Sequence, residues 1–330
     1  MVYSVQMKLV SPTEYVAQAA DLVRNAKERV YLISMVMADH PNTNELFSEL
    51  KKAAQRGVQV TVAADIFTFG EVSGGFFLLN YYSPASKETN TMVKILKKAG
   101  VRFHWLGRGR ATLFSGRTHS KWCVVDDTVF CFGGVNLYDG GIDNIDYMFR
   151  TYDPALANRL VEEQLRIQKA DRRAGNYPSL AIEQEDKKIL IDGGIIGQSI
   201  IYRRAYELAE EATHIVFVSQ YCPTGKLAKI LRQKKAKLYY NKPVNASGLN
   251  KPVISFSQLV SGLQSSYRKK RYIHAKFIIF TFADGSKKVI TGSHNFAYSG
   301  VLLGTREIAL ESSDPEIIAQ LEDFVEKRIK

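Results

Sequence analysis

Two successions of helix-like and strand-like segments, in the same order, fill the two halves of this 330-residue chain. The first opens with "SPTEYVAQAADLVRNAKERVYLISMVM". Ser11 and Glu14 have capping-box spacing, Pro12 suits the first helical position, and Val16, Ala19 or Ala20, Val23 and Ala26 make one helical stripe. The continuous apolar run that follows fits a strand covered on both faces. "NELFSELKKAAQRGVQVTVAAD" and "TMVKILKKAGVRFHWL" repeat helix, glycine stop (Gly57, Gly100) and strand. The hairpin-like "HSKWCVVDDTVFCFGGVN" comes next, then a helix from Asp153–Pro154. The second half replays this with "SIIYRRAYELAEEATHIVFVSQ", "TGKLAKILRQKKAKLYYN", the hairpin "YIHAKFIIFTFADGSKKVITGSHN" and a closing helix in "SDPEIIAQLEDFVEKRI". The polar "RRAGNYPSLAIEQEDKK", with Gly175 and Pro178, reads as the linker. A duplicated α/β unit is expected, with domains at 1–172 and 173–330.

The hairpins carry the chemistry. His119 and Lys121 stand two apart at the start of an apolar strand, so they project from one face, and His274 and Lys276 repeat the pair. Each pair precedes a glycine-rich return ending in asparagine: "GGVN" at 133–136 and "GSHN" at 292–295. A neutral imidazole beside an ammonium group suits the handling of a phosphate. One histidine cannot attack phosphorus and protonate the leaving group in the same step, but two can divide that work. An ammonium in an otherwise apolar strand is costly unless an anion meets it.

The doubled pattern resembles the phospholipase D superfamily, whose motif reads His-x-Lys, four residues, Asp, six residues, then Gly-Gly/Ser-x-Asn. The first copy matches throughout with His119, Lys121, Asp126, Gly133, Gly134 and Asn136. The second has Thr281 where the aspartate is counted, and its stretch from Lys276 to Gly292 is four residues longer. Two extra residues in each hairpin strand would preserve parity, with the turn near Ala283–Asp284–Gly285. Asp126, at the "DD" turn, is then expected to hold its hairpin rather than to react. Asp146 in "NIDYMFR" and Glu307 in "GTREIAL" occupy the places of the family's histidine-orienting acid. "AAQRGVQVTVAADIF", "LKKAGVRFHWL" and "HSKWCVVDDTVFCFGGVNLYD" resemble the cardiolipin synthase and phosphatidyltransferase group.

The resemblance implies two tandem phospholipase D-like αβ sandwich domains related by a pseudo-twofold, and metal-independent phosphodiester transfer or hydrolysis through a phosphohistidine, with no cofactor. It makes His119 the nucleophile and His274 the acid and base. Lys121, Lys276, Asn136, Asn295 and Ser293 would hold the non-bridging oxygens, and Asp146 and Glu307 would fix the imidazole tautomers. Gly133, Gly134 and Gly292 are structural parts of the motif. His40, His104, His214 and His294 fall outside the pattern and read as structural or exposed, with His294 near enough to the motif to matter.

A net charge of +12 favours polyanionic partners: an anionic phospholipid surface, nucleic acid, or phosphate-bearing substrates. Glycerophospholipids are the expected substrate. A nuclease or phosphodiesterase acting on nucleic acid is the alternative, and a non-catalytic anion-binding module is a third reading. "FGEVSGGFFLLNYYSP" at 69–84 reads as a lipid-facing loop, and Arg268, Lys269, Lys270 and Arg271 as a cluster for anionic groups. Cys123, Cys131 and Cys222 lack CxxC spacing and read as buried free thiols of a reducing compartment. The amino terminus shows no signal-peptide core, and no apolar run reaches the ~18 residues of a spanning helix. A cytoplasmic chain, peripheral on a membrane, is expected.

Overall fold

The computed structural model describes residues 6–74, 80–109, 115–184, 187–246 and 250–330. Residues 75–79 of the expected lipid-facing loop lie outside these. The strands of the first half are β1 (Lys8–Val10), β2 (Arg29–Ser34), β3 (Gln59–Asp65), β4 (Arg102–Leu106), β5 (Trp122–Val125), β6 (Thr128–Cys131) and β7 (Met148–Tyr152). Those of the second are β8 (Leu180–Gln184), β9 (Lys187–Gly193), β10 (His214–Val218), β11 (Lys237–Tyr239), β12 (Phe277–Thr281), β13 (Lys287–Gly292) and β14 (Arg306–Ser312). The helices are α1 (Pro12–Asn25), α2 (Pro41–Gln55), α3 (Thr68–Glu71), α4 (Pro84–Lys98), α5 (Asp139–Asp143), α6 (Pro154–Asp171), α7 (Ile200–Glu211), α8 (Gly225–Gln233), α9 (Asn250–Ser261), α10 (Tyr298–Leu303) and α11 (Pro315–Phe324). Ser11 and Glu14 form the expected capping box, while Asp153 and Asp314 accept the first-turn N–H groups of α6 and α11.

Each half builds one seven-stranded sheet, in the orders β1-β7-β6-β5-β2-β3-β4 and β8-β9-β14-β13-β12-β10-β11. Six successive strands correspond, with the same antiparallel and parallel pairings; β4 and β8 are the unmatched edges. Strand alternation sorts the side chains into layers. Trp122, Val124, Phe277 and Ile279 enter one core shared by the two sheets, together with Leu160 of α6 and Leu321 of α11. Cys123 and Val125 face α1 and α2, and Ile278 and Phe280 face α7 and α8. The shared core fixes one half against the other, so each hairpin can contribute to a single site. Cys123, Cys131 and Cys222 are buried free thiols.

The structure corrects two expectations. The supposed linker is partly sheet, because "LAIEQ" pairs as the edge strand β8 on β9. The four extra residues of the second hairpin are not shared equally between its strands. Val125 pairs Thr128 and Thr281 pairs Lys287, so β12 takes one extra residue, the loop takes three, and the return to glycine is unchanged. The reason lies at the turns. Asp126, in the left-handed region at φ 49°, accepts the N–H groups of Lys27, Glu28 and Arg29 at 3.0, 2.9 and 3.0 Å, tying a tight turn to the start of β2. In the second copy the carbonyl of Thr281 does this work, accepting from the N–H and hydroxyl of Thr213 at 2.8 and 3.0 Å. No aspartate is needed there, and the chain runs on to a wider turn held by Asp284 and Ser286.

Candidate active site

The two His-x-Lys segments lead into β5 and β12, and each is pinned by backbone to the opposite half. The Arg306 carbonyl accepts the N–H groups of His119 and Ser120 at 2.8 and 3.1 Å, and the Arg306 N–H donates to the Arg117 carbonyl at 2.8 Å. The mirror arrangement has Ile145 accepting from His274 and Ala275, both at 2.9 Å, and donating to the Tyr272 carbonyl at 2.8 Å. Arg306 and Ile145 immediately precede the two acids, so each carboxylate is delivered to the other half's histidine. Glu307 Oε1 lies 3.1 Å from His119 Nδ1, and Asp146 Oδ2 lies 2.7 Å from His274 Nδ1. A proton held at Nδ1 leaves Nε2 as the reactive nitrogen of a neutral ring.

The glycines permit this crossing. A Cβ on Gly133 would stand 1.8 Å from the Tyr147 carbonyl oxygen, and one on Gly292 2.2 Å from that of Ile308. The Gly134 N–H donates to Asp146 Oδ1 at 3.2 Å, and a side chain there would strike the same carboxylate at 2.7 Å. Ser293 takes that place in the second copy, where its hydroxyl donates to Glu307 Oε2 at 2.5 Å. This corrects the expected role of Ser293: it holds the carboxylate rather than facing a phosphate. Asn136 Oδ1 is taken by the Ser34 hydroxyl and the Val36 N–H, leaving its NH2 group for a ligand. Asn295 Oδ1 is buried with no partner.

His119, Lys121, Asn136, His274, Lys276, Asn295 and Glu307 line one cavity of about 440 Å³; Asp146 and Ser293 stand behind it. Both lysines are buried and donate to the carbonyl of their own histidine, Lys121 at 2.6 Å and Lys276 at 2.5 Å. Burial pushes Lys121 down to about 8 and Lys276 to about 7, against the pull of Asp146 and Glu307. Burial, reinforced by the Lys276 charge, lowers His274 to about 4 despite Asp146. Burial alone would raise Glu307, but the charge and hydrogen bond of His119 overcome it and hold the carboxyl at about 2.

Sequence reasoning missed several wall residues. His294 is buried in the lining, lowered to about 4 by burial, with the Phe296 N–H donating to its Nδ1 at 2.8 Å. Arg117 lines the cavity two residues before His119 and ion-pairs with Asp65 at 2.9 Å. Extending the period of two backwards from the motif would have found it. Glu71, Tyr138, Tyr221 and Tyr272 complete another wall. The exposed cluster Arg268–Arg271 contributes no residue to the lining.

Residues 20–167 match the family model described as cardiolipin synthase, phospholipase D-like domain. Residues 20–167 are thus similar to the phospholipase D-like domain of that family. Its fold is that of the phosphatidylserine synthase of Haemophilus influenzae, at a TM-score of 0.73 and 14% identity over 98% of this chain and 87% of that one. Polyphosphate kinase from Porphyromonas gingivalis is also similar, at a TM-score of 0.61 and 12% identity over 97% of this chain and 50% of that one. No curated protein matches the sequence. The phospholipase D-like match over residues 20–167 supports phosphodiester chemistry in general. No helix among the described residues is long and apolar enough to cross a membrane.

Proposed function

We propose that this chain transfers or hydrolyses glycerophospholipid phosphodiesters through a phosphohistidine. One observation carries the reading: two imidazoles, one from each half, each with a carboxylate on Nδ1 and a buried lysine two residues on, line the same cavity. The neutral Nε2 of one histidine attacks phosphorus. A P–N bond forms, the P–O bond to the leaving alkoxide breaks, and that oxygen takes the proton of the second imidazolium. The second histidine, now neutral, removes a proton from the incoming alcohol or water, whose oxygen attacks phosphorus and releases the first ring. In this reading Lys121, Lys276 and the Asn136 amide hold the non-bridging oxygens as charge builds.

The family resemblance assigns the attack to His119; the electrostatics of this site favour the reverse. The His274 side chain is 11% exposed and burial holds its ring neutral, whereas that of His119 is 22% exposed and more open to exchange a proton with water or an alcohol. We therefore take His274 as nucleophile and His119 as proton carrier.

The surface beside the cavity favours lipid over nucleic acid. Helix α9 reaches the lining with Val253 and Ser257 and exposes Val253, Phe256, Leu259 and Val260, with no acidic residue along its length. Such a face suits the boundary of an anionic bilayer. The net charge of +12 suits either polyanion, but exposed aliphatic side chains give a phosphate backbone nothing. The test offers phosphatidylglycerol vesicles and, separately, single- and double-stranded DNA and RNA, all with chelator present. New cardiolipin or phosphatidic acid supports the reading. Cleavage of nucleic acid alone overturns the lipid assignment, and turnover of neither overturns the enzyme.

A further inference from the structure

Away from the lysines, the cavity wall changes character. Glu71 ends α3 with its carboxylate facing the lining; Oε1 accepts the Tyr138 hydroxyl at 2.8 Å. Among the described residues no cation is paired with it: burial raises the carboxyl and only the Tyr138 hydrogen bond opposes that. Tyr221 and Tyr272 stand beside it, both in contact with the Gln220 amide at 3.0 and 3.2 Å, and Tyr221 donates to Asn250 Oδ1 at 2.6 Å. Glu71, Tyr138, Tyr221 and Tyr272 line one wall of the same cavity, so the four groups form one cluster; burial, then the neighbouring Tyr272, Glu71 and Tyr138, push the Tyr221 hydroxyl well above its ordinary range. Tyr272 lies two residues before His274 and Tyr138 two beyond Asn136. In extended backbone that step is roughly 6–7 Å, from a rise of about 3.3 Å per residue.

We propose that Glu71, Tyr138, Tyr221 and Tyr272 form a subsite for an ammonium group a few bonds from the reacting phosphate, the polar end of an amino alcohol. This rests on the phosphodiester reading and specifies its substrate. A cation among tyrosine rings gains from their quadrupoles and hydroxyl oxygens, and the carboxylate gains the counter-charge it now lacks. The lysines hold the negative end and the tyrosine wall the positive end of one zwitterionic ligand. A glycerol headgroup leaves Glu71 uncompensated, so the subsite discriminates by charge.

Binding tests this without turnover. Titration calorimetry with phosphoethanolamine and glycerol 3-phosphate should show the former bound at least about tenfold tighter, roughly 1.4 kcal/mol. Glu71→Gln, which keeps an acceptor for Tyr138, should bring the ratio to within about twofold. Equal binding by the native protein, or a preference that survives Glu71→Gln, overturns the subsite. Two turnover arms locate the ammonium group. Ethanolamine against glycerol as acceptor, with phosphatidylglycerol vesicles, tests the incoming alcohol. Phosphatidylethanolamine against phosphatidylglycerol vesicles, with water as acceptor, tests the donor headgroup. A Glu71-dependent preference in either arm supports the subsite there, and its absence from both in a turning-over enzyme overturns it. If no vesicle is consumed, the lipid function falls while the calorimetric ratio still decides the subsite.

Discussion

Replacing Lys276 by Met should remove activity and yet stabilise the empty protein at neutral pH. The ammonium is held from its ordinary 10.5 down to about 7, chiefly by burial, in a side chain 2% exposed. At 1.36 kcal/mol per unit, and with the unfolded chain fully protonated, the folded state gives up about 4 kcal/mol at pH 7. Met fills the volume without the charge but leaves the His274 carbonyl, now bonded at 2.5 Å, without that donor, which costs about 1–3 kcal/mol. The net gain is about 2 kcal/mol. With an unfolding entropy of roughly 2.1 cal/mol/K per residue over 330 residues, that is about 3 °C in Tm. The sign with pH follows from the lowered folded value. Between pH 7 and 10.5 the unfolded chain binds more protons, so native stability rises with pH across that window while the variant lacks this slope. The advantage should therefore shrink towards pH 9 and reverse above it. Phosphate should raise the native Tm and affect the variant far less, because the anion compensates the buried ammonium groups. Thermal unfolding from pH 6.5 to 9.5, with and without phosphate, checks this. A variant less stable at pH 7, with the native pH slope intact, would refute the assignment of Lys276 as an ammonium awaiting an anion.

Further outcomes bear on the histidines, the turn and the lipid face. His119→Ala and His274→Ala should each cut turnover by about 10²–10⁴-fold. On rapid quenching His119→Ala should retain a covalent phosphoryl adduct and His274→Ala none; an adduct on His119 alone would restore the family order. Asp126→Ala should lose about 2 kcal/mol of stability, since three backbone N–H groups lose their acceptor, with kcat/KM per folded molecule unchanged. A matching loss of kcat/KM would make Asp126 more than a turn residue. Phe256→Glu with Leu259→Glu should lower turnover on anionic vesicles at least about tenfold while sparing a monomeric short-chain substrate. Equal loss on both substrates would remove α9 from membrane contact.

How far the sequence reached follows from the range of each signal. Helix starts were legible at Ser11, Asp153 and Asp314 because a cap and a proline act within one turn. The duplication was legible because local periodicity recurs in the same order, and the motif residues because both copies spell them nearly alike. β8 was not, since a short polar edge strand acquires its identity only from β9. Nor was the partition of the four extra hairpin residues, which depends on whether an aspartate or a backbone carbonyl ties the turn to the neighbouring strand.

The amino-acid sequence by itself determined which side chains share a strand face and which segments are copies: His119 with Lys121, His274 with Lys276, each before a glycine–asparagine return. Tertiary structure alone decided that Glu307 serves His119 and Asp146 serves His274, that Ser293 turns to a carboxylate, and that three tyrosines share a cavity wall with Glu71. Periodicity records direction along one segment, whereas those partners lie 14 to 201 residues apart and meet only when the sheets close on their common core. That same closure withdraws the lysines and His274 from water. The electrostatics of the site are therefore a property of packing, and no local pattern in the chain contains them.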